Sequence, residues 1–154
     1  MIQDSLLCIW DWKGQLISKR EPHPSSAIWC VDYDPLRNLI FTGGGDSAIR
    51  ISMPSPMSPN GKMTSPPLGK AYCLTLLDDS CCFVILSDGQ IFLVEIPSSK
   101  WKHVGERTGV TSIDKYTSKP SIVKIVLGCL DGLVCVLSFC EKNSNYLPKK
   151  WTGV

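Results

Sequence analysis

Leu39-Ile-Phe-Thr-Gly-Gly-Gly-Asp-Ser-Ala-Ile-Arg-Ile-Ser52 decides the fold. A short run of β-branched and aromatic residues ends in small residues, an aspartate opens a turn, and a second alternating run leaves it. Residues of the first kind suit a pleated, half-buried surface, and aspartate hydrogen-bonds its own turn. The aspartate-led strand recurs as Asp4-Ser-Leu-Leu-Cys-Ile-Trp10, Asp88-Gly-Gln-Ile-Phe-Leu-Val94 and Asp131-Gly-Leu-Val-Cys-Val-Leu137, at intervals of 42, 42 and 43 residues. One Asp-Gly turn would carry little weight. Four aspartates in register imply an array of like units.

The residues before each aspartate repeat as well. Cys82 to Ser87 and Val123 to Leu130 match Leu39 to Gly45 as middle strands, and Ala27 to Tyr33, Ala71 to Leu77 and Val110 to Tyr116 precede them as inner strands. Turn residues join the two at Asp34-Pro35-Leu36-Arg37-Asn38, Asp78-Asp79-Ser80 and Ser118-Lys119-Pro120. The outermost strands are the faintest: Gly14 to Arg20, Lys100 to Val104, and a last one starting in Leu147 to Trp151. Between 54 and 67 the five prolines and several serines read as a surface loop with one poor edge strand, because proline cannot donate to a ladder. Ser55, Ser58 and Ser65, each before proline, are candidate phosphorylation sites there.

Composition narrows the class. With 44% hydrophobic and 19% charged residues the chain has material for a core and is no candidate for disorder. A net charge of +2 neither demands nor excludes a nucleic-acid partner. The eight cysteines fall mostly within apolar strand-like runs, no CxxC pair occurs, and His23 and His103 stand far from any cysteine pair, so reduced structural thiols are expected and no metal. That usage points to a cytosolic or nuclear protein, and a cytoplasmic one is expected. No signal-peptide core is visible near the start, where Asp4 and Asp11 interrupt. Ile122 to Cys140 has the length of a membrane helix, but Asp131-Gly132 at its middle makes it two strands and a hairpin.

Trp10-Asp11 after a strand, and His23 placed 23 residues before Asp46, complete a resemblance to WD-repeat β-propellers, whose period is about 40–45 residues. The resemblance implies a histidine–aspartate pair completed by a strand hydroxyl, here Thr42. Asp88 and Asp131 lack both the histidine and the dipeptide. The fold expected is all-β: a partial propeller of about three four-stranded blades plus an extra strand, with repeats at approximately 1–22, 23–69, 70–108 and 109–154, within a larger ring. Ala27 to Ser52, read with Ile-Trp-Asp-Trp at 9–12, resembles the WD repeat-containing protein 6 family more closely. That resemblance implies a noncatalytic, monomeric scaffold partnering a tRNA 2′-O-methyltransferase at the wobble nucleotide, with tRNA touched indirectly and no membrane contact. The repeat alone is equally compatible with an adaptor in ubiquitin ligation or endosomal recycling.

No enzyme is expected and no cofactor. Gly43-Gly44-Gly45 leads into a strand rather than a phosphate-binding helix, and neither a Gly-x-Ser-x-Gly elbow nor a P-loop is present. The links entering the inner strands and the aspartate turns are expected to share one face, offering Ser25, Ser26, Ser47, Gln90 and Arg107 to a partner. Trp29 and Tyr72, at matching inner-strand positions, are candidates to line its centre. Lys100, Lys102, His103, Lys149 and Lys150 are a candidate basic patch for an RNA backbone.

Overall fold

A computed structural model of the chain describes residues 5–54, 63–64, 69–78, 80–119, 122–142 and 145–153. Asp4, Asp79, Pro120 and Ser55, Ser58 and Ser65 lie outside them. The described residues are all-β, in four antiparallel sheets. The first sheet pairs β1 (Leu7–Trp10) with β2 (Leu16–Arg20). The second runs in order through β3 (Ile28–Asp34), β4 (Leu39–Gly44), β5 (Ile49–Ser52) and the two-residue β6 (Met63–Thr64). β7 (Ala71–Leu76), β8 (Cys81–Leu86), β9 (Gln90–Glu95) and β10 (Lys100–Glu106) make the third. The fourth comprises β11 (Val110–Lys119), β12 (Ile122–Cys129), β13 (Val134–Lys142) and β14 (Asn145–Gly153). Each sheet is a simple meander. Asp46, Asp88 and Asp131 open the turns into β5, β9 and β13, and residues 122–140 form two strands. No helix of the described residues is long and apolar enough to cross a membrane.

Aspartates also make the hairpin turns. Asp11 accepts the amides of Lys13 and Gln15 at 2.9 and 2.8 Å. Asp34 accepts those of Leu36 and Arg37 and holds the Arg37 guanidinium at 2.6 Å, while Asp78 accepts Ser80 and Cys81. A carboxylate satisfying amides two and three residues on is the reason this residue type starts a tight turn.

The core is two layers of side chains either side of the third sheet. Leu74, Val84 and Leu86 pack towards Phe41 and Ile49 of the second sheet. Phe83, Ile85 and Leu93 pack towards Ile125, Leu137 and Phe139 of the fourth, with Phe83 and Phe139 edge to face at 5.7 Å. Every residue of β8, Cys-Cys-Phe-Val-Ile-Leu, is therefore buried, and the strand reads as a continuous apolar run instead of alternating. β12, covered on one face only, alternates half-buried and buried residues. Full burial of one Phe or Ile contributes about 1.5–3 kcal/mol, so the third sheet is the molecule's anchor. Cys8, Cys30, Cys73, Cys81, Cys82, Cys129 and Cys135 are free thiols. Burial pushes Cys30 and Cys81 up to about 12, so both stay protonated and inert.

Candidate functional site

The three aspartate turns lie at one end of the sheets and repeat one geometry. Asp46, Asp88 and Asp131 each accept the amide two residues on, from Ala48, Gln90 and Leu133, at 3.0–3.2 Å. The intervening residue is left-handed each time: Ser47 at φ 62°, Gly89 at 90° and Gly132 at 79°. Just before each turn a backbone amide reaches the link entering that sheet: Gly45 to Ala27, Ser87 to Lys70 and Leu130 to Gly109. Links and turns are thereby gathered into one surface.

At the second sheet the turn carries a buried histidine. His23 is fully enclosed, with Nδ1 2.8 Å from Asp46 Oδ1 and Nε2 2.9 Å from Thr42 Oγ1. Gly44 makes the room, since a Cβ there would lie 2.2 Å from His23 Nδ1. Arg50, on β5, completes the cluster with Nη1 2.5 Å from Asp46 Oδ2 and 2.6 Å from the same ring nitrogen. Burial pushes the Asp46 carboxyl up, but the hydrogen bonds from Arg50 and His23 outweigh it and hold the group below the usual carboxylate range. Both ring nitrogens are engaged and neither faces solvent. The ring ties the link preceding β3 to β4 and to the turn, and offers no nitrogen to a substrate.

The fourth sheet reaches a similar end with other residues. Arg107 lies 24 residues before Asp131 and pairs with it at 2.5 Å, its Nε 3.5 Å from Cys129 Sγ. Cys129 occupies the position of Gly44, two residues before the aspartate. Asp131 thus lacks an upstream histidine, as its sequence shows, but not an upstream cation. Arg50 and the Arg107–Asp131 pair were invisible to a reading that sought only histidine; the 24-residue spacing was the available signal. Trp10 takes no part in the His23 cluster and is 57% exposed, while Asp11 serves the β1–β2 hairpin.

Between the links lies a groove of about 340 Å³, bounded by Trp29, Tyr72, Ser87, Arg107, Val110 and Leu130. Trp29 and Tyr72 meet edge to face at 5.7 Å, and Lys70 Nζ stands 5.5 Å from the Trp29 ring. Of the five residues expected on the partner face, Arg107 alone lines this groove. Ser25, Ser26 and Ser47 surround the His23 corner; Ser25 is left-handed at φ 58°. Gln90 reaches Glu106 at 3.4 Å. Lys100, Lys102 and His103 are exposed along the edge strand β10, where His103 also meets the Phe92 ring at 5.3 Å. The side chains of Lys149 and Lys150 lie outside the description. Among the described residues no three His, Cys, Asp or Glu side chains gather as a metal site.

No family model and no curated protein matches the sequence. Solved structures do match it, among them the crystal structure of the computationally designed Ika8 protein, with a TM-score of 0.62 and 18% identity. The match covers 99% of this chain and 47% of that one, so the chain spans about half the length of the structure it resembles. At that identity the likeness concerns the fold alone.

Proposed function

We propose that the four sheets are successive blades of a WD-repeat β-propeller, and that the chain is a noncatalytic scaffold in the cytoplasm. The observation that carries this reading is the His23 cluster. A histidine enclosed between Asp46 and Thr42, with no nitrogen open to solvent, holds a turn and performs no acid–base step. What the molecule presents instead is a surface of repeated turns around an aromatic groove, the arrangement of a binding face. The resemblance of Ala27 to Ser52 to the WD repeat-containing protein 6 family supplies the partner: a tRNA wobble 2′-O-methyltransferase, with tRNA reached through that enzyme.

Affinity purification of the full protein from cells, with mass spectrometry of what accompanies it, tests the assignment when joined to a wobble-methylation assay after depletion. A methyltransferase among the partners and lost wobble methylation are expected. Intact methylation with other partners would sink the methyltransferase assignment and leave an adaptor of another complex. Retention of RNA by the purified protein, weakening with salt, would instead favour direct binding through the β10 lysines.

A further inference from the structure

The corner of the fourth sheet holds two thiols beside a cation, an arrangement that a turn by itself does not need. Cys129 ends β12 and takes a hydrogen bond from Arg107, Nε to Sγ at 3.5 Å. On β13, Cys135 faces Leu127 across the ladder, which puts it diagonally opposite Cys129 on the same face of the sheet. Both side chains belong to the layer between the third and fourth sheets, whose buried members all fall within residues 73–139. Cys135 also has Cys129 as a hydrogen-bond partner. The other end of the guanidinium meets Asp131, with side chains 27% and 51% exposed, so the cluster comes to the surface at the turn.

The thiols elsewhere differ. Burial pushes Cys30 and Cys81 up to about 12 and raises Cys73 and Cys82 as well. A thiol in apolar surroundings keeps its proton and does not attack, whereas a neighbouring cation favours the thiolate, the reactive form. Burial also pushes up Cys135, and Cys129 adds to that. One sulfur beside a guanidinium, with a protonated thiol next to it, is the pairing of an attacking and a resolving cysteine.

We propose that Cys129 and Cys135 are a reversible redox pair, oxidised by hydrogen peroxide to a disulfide across the end of the β12–β13 hairpin. The Cys129 thiolate attacks one peroxide oxygen. An S–O bond forms, the O–O bond breaks, and the departing hydroxide takes up the proton that Cys129 released. The Cys135 sulfur then attacks the sulfenic sulfur, and the S–O bond breaks. Its hydroxide leaves as water with the Cys135 proton. Two thiols thus lose two electrons, and one peroxide becomes two waters. Diagonal positions stand about 7–8 Å apart between Cα atoms, and a disulfide holds them at about 4.4–6.8 Å, so closing the bond draws the hairpin end together. Leu130 and Arg107, both walls of the groove, move with it. The oxidation rests on this corner alone; only its effect on binding rests on the groove being the partner face.

The full protein is treated with equimolar hydrogen peroxide, free thiols are alkylated, and the tryptic fragments are sequenced by mass spectrometry. A disulfide within fragment 125–142 is expected, joining Cys129 to Cys135, leaving Cys140 alkylated, and undone by dithiothreitol. Cys135→Ser should leave a sulfenic acid at Cys129 that dimedone traps. Arg107→Gln should slow oxidation of Cys129 by about tenfold, with the rate at exposed Cys8 unchanged. Oxidation of Cys8 while Cys129 and Cys135 stay reduced would overturn the proposal. So would a bond from Cys129 to Cys140, a bond formed only in urea that unfolds the chain, or equal Cys129 rates in the parent and Arg107→Gln. The unaltered protein decides the pairing even if a variant fails to fold.

Discussion

At the His23 corner a buried imidazole spans Asp46 and Thr42, whereas at the corresponding corner of the fourth sheet a partly exposed guanidinium, Arg107, spans Asp131 and Cys129. The aspartate turn is common to both. What differs is the residue two places before it. Gly44 leaves a space that only a flat ring fills, while Cys129 fills that space with its own side chain and the cation lies against the sulfur. The comparison teaches that the carboxylate is the constant of the repeat and its cationic or imidazole partner is fitted to the room available. It also teaches where the energy lies. A buried, doubly bonded ring leaves unpaired groups behind when removed, but water readily replaces an exposed guanidinium.

The comparison is sharpened most by deleting the two partners in turn. His23→Ala takes the ring partner from Thr42, removes one bond of Asp46 and opens a cavity, so a loss of about 2–4 kcal/mol is expected in chemical denaturation. Arg107→Ala should move the midpoint distinctly less; an equal shift would break the distinction between the corners. Gly44→Ala drives a methyl into the His23 ring, and about 1–3 kcal/mol should be lost in the same measurement. Ser47→Gly tests the turns themselves. Ser47 holds the left-handed position that glycine holds at 89 and 132, and relieving it should raise stability by about 0.5–1 kcal/mol.

The smallest effect is one of pH. The folded Asp46 carboxyl sits below its ordinary value of 3.8, so its contribution is fully present above that value and is lost as pH falls through the lower folded one. Urea midpoints measured across acid pH should therefore fall less steeply in Asp46→Asn than in the parent chain.

Much of the architecture was legible because its signals are local. The period of Asp46, Asp88 and Asp131 placed β5, β9 and β13, and the hairpin aspartates Asp34 and Asp78 placed the strands on either side. The outermost strands were faint because edge strands bury little. β6 is only Met63–Thr64 among prolines, a length at which no pattern exists to read. The His23–Asp46–Thr42 geometry could be anticipated from spacing and the resemblance. Arg50 could not, since whether its side chain turns to its own sheet's aspartate or to solvent depends on packing around β5. The Trp29–Tyr72 pair was visible as matching positions, but Lys70, Ser87 and Leu130 join it only when three links from different repeats meet. Sequence distance hides such a surface.

The most direct test of the central claim, that the histidine–aspartate pair is a structural tie, is a double-mutant cycle. Urea unfolding is measured for the parent chain, His23→Ala, Asp46→Ala and the double variant. A coupling energy of about 1–3 kcal/mol is predicted, because each residue's contribution depends on the other. A coupling near zero, with the two single losses simply adding, would contradict the account.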